Sequence, residues 1–289
     1  MSVLGDLKAQ RVIATGHSQS AQQLATYFNS VHPLAPVYDA VMLRGSGGVM
    51  RTDLNVKIFK LESESDNSEW GASYRPDSDK LHTWVVAGVS HLDAQASIGL
   101  GREGLLVAGA TPVEGKDVIK PPTISNAGDG KGIGMYQNLS TLPNDGCNKP
   151  PLTRVPFHYV QAIAYDHMVE WIKSGKAPPS APNYEIEGNA IKRNKDGNAL
   201  GGIQLSQHAV PTAVNRGDNS NSGQAGFCNL IGSYEPFDSA KLATLYPSHD
   251  AYVKAVKEVT EKNLKAGYIL KSDADATIAE ANKSSIGKK

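Results

Sequence analysis

The sequence predicts an α/β fold, a parallel sheet with flanking helices and long loop insertions. Three observations predict it. Short apolar and β-branched runs recur through the first ninety or so residues. The first of them passes abruptly into a helical pattern, and a long amphipathic helix follows only after a Gly/Pro/Asn-rich stretch.

Residues 11–15 (RVIAT) read as a short buried strand. From Ser18 the apolar residues Ala21, Leu24, Ala25, Phe28 and Val31 recur at steps of three and four, the period of a helix with one buried face. "YDAVML" (38–43), "NVKIFKL" (55–61) and "LHTWVVAGV" (81–89) are three further strand candidates, each ending in polar or glycine-containing loop sequence. Residues 98–151 form a loop-rich insertion. "FHYVQAIAYDHMVEWIKSG" (157–175) has helical periodicity, with Gly175 as its stop and Pro178-Pro179 beyond, and is expected to pack on the sheet. Residues 184–205 read as a hairpin turning at Asp196-Gly197, and residues 239–285 as two or three helices. No repeat divides the chain. One domain over 1–289 is therefore expected, with its core at 1–97, the insertion at 98–151, and a helical and hairpin part at 152–289.

Composition narrows the function. Lys plus Arg and Asp plus Glu both number 29, and no basic stripe recurs at helical spacing, so no nucleic-acid partner is expected. The longest apolar runs are about five residues, and the N-terminal "MSVLGDLKAQ" has no charged start followed by an apolar core. Neither a membrane span nor a signal peptide is legible. Cys147 and Cys228 lack the CxxC spacing of a zinc site, so no metal is expected; they form either one disulfide or two buried thiols. A bridge would imply an oxidising compartment.

The chemistry is concentrated at Gly16-His17-Ser18-Gln19-Ser20. A strand that turns sharply into a helix with Gly-x-Ser-x-small at the corner is a nucleophile elbow. The serine there takes a strained conformation that lifts its oxygen off the sheet, and its neighbours two residues away must be small because strand and helix pass closely. A hydroxyl is a weak nucleophile at neutral pH, so it needs a histidine base and an acid to orient that base, in the chain order Ser, acid, His. "NVKIFKLESESD" offers Glu62, Glu64 and Asp66, with Asp66 the first choice and Glu64 the alternative. His91 follows the next strand candidate, 25 residues after Asp66. The other histidines sit worse. His17 adjoins Ser18, His32 ends the leading helix, His82 begins a strand, His158 and His167 lie on the long helix, and His208 and His249 have no strand-end context. The backbone N–H of Gln19 is the expected oxyanion donor. Trp70 and Tyr74, in the loop after the acid, are candidates to line the substrate pocket. No cofactor is expected.

The segments "RVIATGHSQS", "YDAVMLRG", "LESESD", "YRPDSDKLHTWVVAGVSH", "VEWIKSGKAPPSAP", "KDGNALGGIQL" and "SYEPFDSAKLATLYPSHDAYV" resemble, over nearly the whole chain, the α/β-hydrolase-domain proteins called hydrolase family 10, mostly assigned as carboxylesterases. The resemblance implies Ser18 as nucleophile, His91 as base and Asp66 or Glu64 as acid, acting on a small-molecule ester. Gly-x-Ser-Gln-Ser is that family's own form of the elbow.

Only 17 residues precede Ser18, where an α/β-hydrolase sheet ordinarily has about four strands. The expectation is thus the C-terminal half of such a sheet, with one oxyanion donor missing and strand 11–15 left as an open edge. That predicts self-association or completion by a separate N-terminal half-domain. Two further readings compete with an active esterase. One is an inactive fragment or subunit, and the other a non-catalytic binding module built on the loops 98–151 and 206–235.

Overall fold

The computed structural model describes residues 5–6, 8–45, 48–51, 53–66, 75–96, 147–221 and 228–288. Contacts divide the chain into two compact units, one comprising residues 1–62, 66–84 and 164–181 and the other residues 63–65, 85–163 and 182–289.

The first unit is built on a sheet. β1 (Ile13–His17), β2 (Ala40–Arg44), β3 (Lys57–Glu62) and β4 (Leu81–Val85) are neighbours in that order, with β1, β2 and β3 parallel. The register is even, Ile13 facing Ala40 and Ala40 facing Lys57. β1 stands at one end of the strand order. Helix α1 (Gln19–Ser30) buries Ala21, Ala25 and Phe28 against Val41, Leu43 and Ile58. Alternate residues of β2 and β3 thus face this helix, while Phe59 meets Trp84 edge-on with ring centroids 4.9 Å apart. β2 as far as Leu43 and the whole of β4 are buried on both faces, as in a sheet covered on both sides, with His82 and Thr83 the polar residues of β4. Val31, expected within the helical stripe, lies one residue past α1 and is exposed. Periodicity alone cannot tell the last helical residue from the first one beyond it.

Helix α2 (Phe157–Ser174) runs where the periodicity predicts it. Its residues 164–174 belong to the first unit, where His167 packs edge-on to Trp84 and Trp171 packs edge-on to His82. The indole Nε1–H of Trp84 donates to Pro179 O at 2.8 Å. The sheet also holds an ion pair that apolar patterning does not predict. Lys60 and Glu62, on one face of β3, lie 3.4 Å apart and are both buried.

In the second unit the chain beyond β4 continues into a bridge between Val86 and Ile203. β5 (Ile186–Glu187) and β6 (Ala190–Ile191) form a small hairpin at Gly188-Asn189. The expected turn at Asp196-Gly197 is also present, closed by Gly197 N–H donating to Asn194 O. One predicted hairpin is therefore two successive turns, because Gly188 supplies a second left-handed position at φ 62. A short helix, α3 (Ser206–Ala209), precedes β7 (Ala213–Arg216). After a second short helix, α4 (Cys228–Ile231), β8 (Ser233–Pro236) pairs antiparallel with β7. Three helices close the chain, α5 (Ser239–Leu245), α6 (His249–Ala266) and α7 (Lys271–Lys283), with Tyr246, Tyr252, Val256 and Ala281 in a shared core. Gly267 ends α6 at φ 77, the left-handed C-terminal cap that glycine takes without penalty. No helix of the described residues is long and apolar enough to cross a membrane.

Cys147 and Cys228 are bridged, which resolves the two readings that the sequence left open. The bridge closes a loop of 81 residues, and on the chain-entropy model such a crosslink stabilises by about 4 kcal/mol. Replacing both cysteines by serine is expected to lower the urea midpoint accordingly. An unchanged midpoint would mean that the crosslink constrains an already compact unfolded chain.

Candidate active site

The corner between β1 and α1 has the geometry that its composition predicts. Ser18 sits at φ 60, ψ −128, one of two non-glycine residues at positive φ among those described. L-residues rarely hold that conformation, which persists only where surrounding structure enforces it. The enforcement here is local. Ser18 N–H donates to Arg44 O at 2.9 Å, carrying the sheet ladder one residue past β1, and Ser18 O at once accepts from Gln22 N–H in α1. Gly16 is required by the same turn. A Cβ at that position would lie 2.8 Å from Ser20 C and O and 2.9 Å from Ala21 N, all backbone atoms that cannot step aside. Gly16→Ala is therefore expected to destabilise by about 1–3 kcal/mol, as overpacking commonly does, and to depress activity with it. Thermal unfolding checks the first, and a melting temperature equal to wild type would refute the close approach. Ser18 itself is partly exposed, and Gln19, the first residue of α1, is exposed with its N–H in the helix's unsatisfied first turn.

The three candidate acids separate. Glu62 ends β3 and pairs with Lys60. Asp66 ends the 3-10 turn Glu64–Asp66 and is buried. Glu64 has an enclosed carboxylate. Oε1 accepts from Gly88 N–H at 2.5 Å, and Oε2 accepts from Gly217 N–H at 3.1 Å and pairs with Arg193 at 2.9 Å. A carboxylate with no solvent exposure is tolerable only when its oxygens are filled in this way. Glu64 is thus held in a buried clamp of two backbone N–H groups and a guanidinium.

His91 lies six residues beyond β4 and is buried. Its N–H donates to Ser65 Oγ at 2.7 Å, so the residue beside Asp66 holds the backbone of the candidate base. Its chain neighbours are fixed as well. Ser90 N–H donates to Thr153 Oγ1 at 3.2 Å, and Leu92 N–H donates to Leu230 O at 2.8 Å. Ser18 and Asp66 belong to the first unit, and Glu64, Ser65 and His91 to the second. Trp70 and Tyr74 lie outside the described residues, as does most of the 98–151 insertion.

The histidines set aside on sequence grounds occupy other roles. His82 is buried 3.3 Å from Asp77, and His167 packs on Trp84. His208 is buried with Nε2 donating to Ala199 O at 2.9 Å; burial pushes its pKa down against the pull of Glu64. No group of three or more His, Cys, Asp or Glu among the described residues could hold a metal ion. Sequence reasoning missed Arg193, Gly88, Gly217 and Thr153, none of which carries a local motif.

A family model described as an alpha/beta hydrolase domain matches residues 1–279. No curated protein and no solved structure matches the chain. The expectation that the chain holds only the second half of the fold is not borne out by the family match.

Proposed function

Because the chain belongs to the alpha/beta hydrolase domain family, we propose that it is a serine hydrolase of carboxylic esters, with Ser18 as nucleophile, His91 as general base and Asp66 as the acid that orients it. The observation that carries this reading is the strained backbone of Ser18 at the end of a parallel strand. A junction serine without a catalytic role has no need of φ 60, and strain of this kind gathers at reactive positions.

In the reaction, Ser18 Oγ attacks the ester carbonyl carbon as its proton passes to His91. The tetrahedral oxyanion accepts a hydrogen bond from Gln19 N–H, and its collapse breaks the C–O bond while His91 returns the proton to the leaving alcohol. Water, deprotonated by His91, then cleaves the acyl-enzyme and releases the carboxylic acid and free Ser18. Asp66 keeps the imidazole in the tautomer that accepts from Ser18. Glu64 is not given this role because its oxygens already accept from Gly88, Gly217 and Arg193.

A p-nitrophenyl ester series of increasing acyl length tests the reading. The expected result is a burst of p-nitrophenol close to one equivalent per chain, followed by slower steady turnover, the signature of an accumulating acyl-enzyme. Saturable binding of these esters without any release would instead favour a binding module.

A further inference from the structure

The segment that carries His91 is tied down at every residue from 88 to 92. Gly88 N–H donates to Glu64 Oε1, Val89 O accepts from Glu64 N–H at 3.1 Å, Ser90 N–H donates to Thr153, His91 N–H to Ser65 and Leu92 N–H to Leu230. Two of the five ties come from Glu64, through its side chain and its own backbone, and a third comes from the next residue. Glu64 lies two residues before Asp66, so the turn that delivers the proposed acid also grips the segment that delivers the proposed base.

The carboxylate is itself oriented from behind. Arg193 pairs with Glu64 Oε2 while its other terminal nitrogen reaches Asp218 Oδ1 at 3.1 Å, and Nη1 also donates to Gly197 O at 3.3 Å. Asp218 is in turn clasped by Arg216 at 2.8 and 2.6 Å. Burial opposes ionisation of Asp218, but hydrogen bonding from Arg216 and the charge of Arg193 outweigh it and hold the carboxyl below its usual range.

The glycines are an independent mark of the same clamp. At Gly217 a Cβ would collide with Val89 O and Glu64 Cβ, and at Gly88, at φ 77, it would lie 2.5 Å from His208 Nδ1 and 2.8 Å from Val155 Cγ2. Both backbone N–H groups reach the carboxylate only because no side chain stands there.

We infer that Glu64, held by Arg193, is a positioning residue for the hydrolytic reaction. It fixes the segment 88–91 against residues 64 and 65 so that His91 is presented in one orientation. The inference rests on the proposed function, and it assigns Glu64 to neither proton transfer nor substrate contact. It accounts for a buried charge that the fold could have replaced with apolar packing, since a buried ion pair is weak evidence for stability alone.

The test uses Glu64→Gln, Arg193→Lys and Arg193→Met in the full chain, with active sites counted by fluorophosphonate titration. Glutamine turns an NH2 toward backbone donors, and Met removes the cation, whereas Lys keeps it. Expected per titrated site are a fall in kcat of about 10- to 100-fold for Glu64→Gln and Arg193→Met, KM within about two-fold of wild type, and partial recovery in Arg193→Lys, since small misplacements of a catalytic group cost on this scale. Should Glu64→Gln not fold, the Arg193 pair decides alone. Fewer titratable sites with unchanged kcat per site would overturn the inference and leave Glu64 a stability residue. A loss equal to that of His91→Ala would also overturn it, by making Glu64 the acid. If wild type is not labelled at Ser18, the functional reading itself fails, an outcome distinct from both.

Discussion

Ser18→Ala is expected to abolish fluorophosphonate labelling and to lower kcat for ester hydrolysis by about 10⁶-fold, the scale of loss when one member of a catalytic unit is removed. The magnitude follows from what the elbow does. At φ 60 the chain passes from β1 into α1 at a single residue, and Ser18 is partly exposed there. Gln19 N–H lies at the adjacent helix start, where backbone donors have no intrahelical acceptor. No neighbour can substitute. Ser20 is the next hydroxyl along the chain, but it lies inside α1, and Ser20→Ala is expected to retain labelling and turnover. Intact-mass spectrometry after probe treatment reads the first result and steady-state kinetics the second. Labelling of Ser18→Ala at the wild-type rate would remove the elbow from the mechanism.

The second large effect concerns the acid. Asp66→Asn is expected to lower kcat by about 10⁴-fold, as when the equivalent carboxylate of a serine protease is neutralised and its histidine adopts the wrong tautomer. Asn keeps the shape of the buried side chain, so the fold is expected to survive and KM to change little. His91→Ala is expected to cost about as much as Ser18→Ala, and the double variant Ser18→Ala/His91→Ala no more than either alone, because residues that act as one unit are not additive. The ranking matters most. Asp66→Asn must exceed Glu64→Gln by two orders of magnitude or so, and the reverse order would return the acid role to Glu64.

The sequence by itself determined the elements whose causes are local. Gly16 and Ser18 at the junction of an apolar run and a helical period specify the elbow, because small residues, strain and periodicity all act within a few residues. The strands at 40–44, 57–62 and 81–85 and the helix at 157–174 followed from the same short-range patterning, each displaced by only a few residues at its ends. What only the tertiary structure decided is whatever depends on partners far along the chain. Glu64 and Asp66 are both buried acids on one turn, and nothing in the local sequence shows what surrounds either carboxylate. Gly88, Arg193 and Gly217 fill the oxygens of Glu64 across separations of up to 153 residues. The pairing of Cys147 with Cys228 and the burial of Lys60 beside Glu62 are of the same kind. A carboxylate or a thiol has the same intrinsic chemistry wherever it occurs, and its role is set by the donors, charges and sulfur that folding brings within about 3 Å of it.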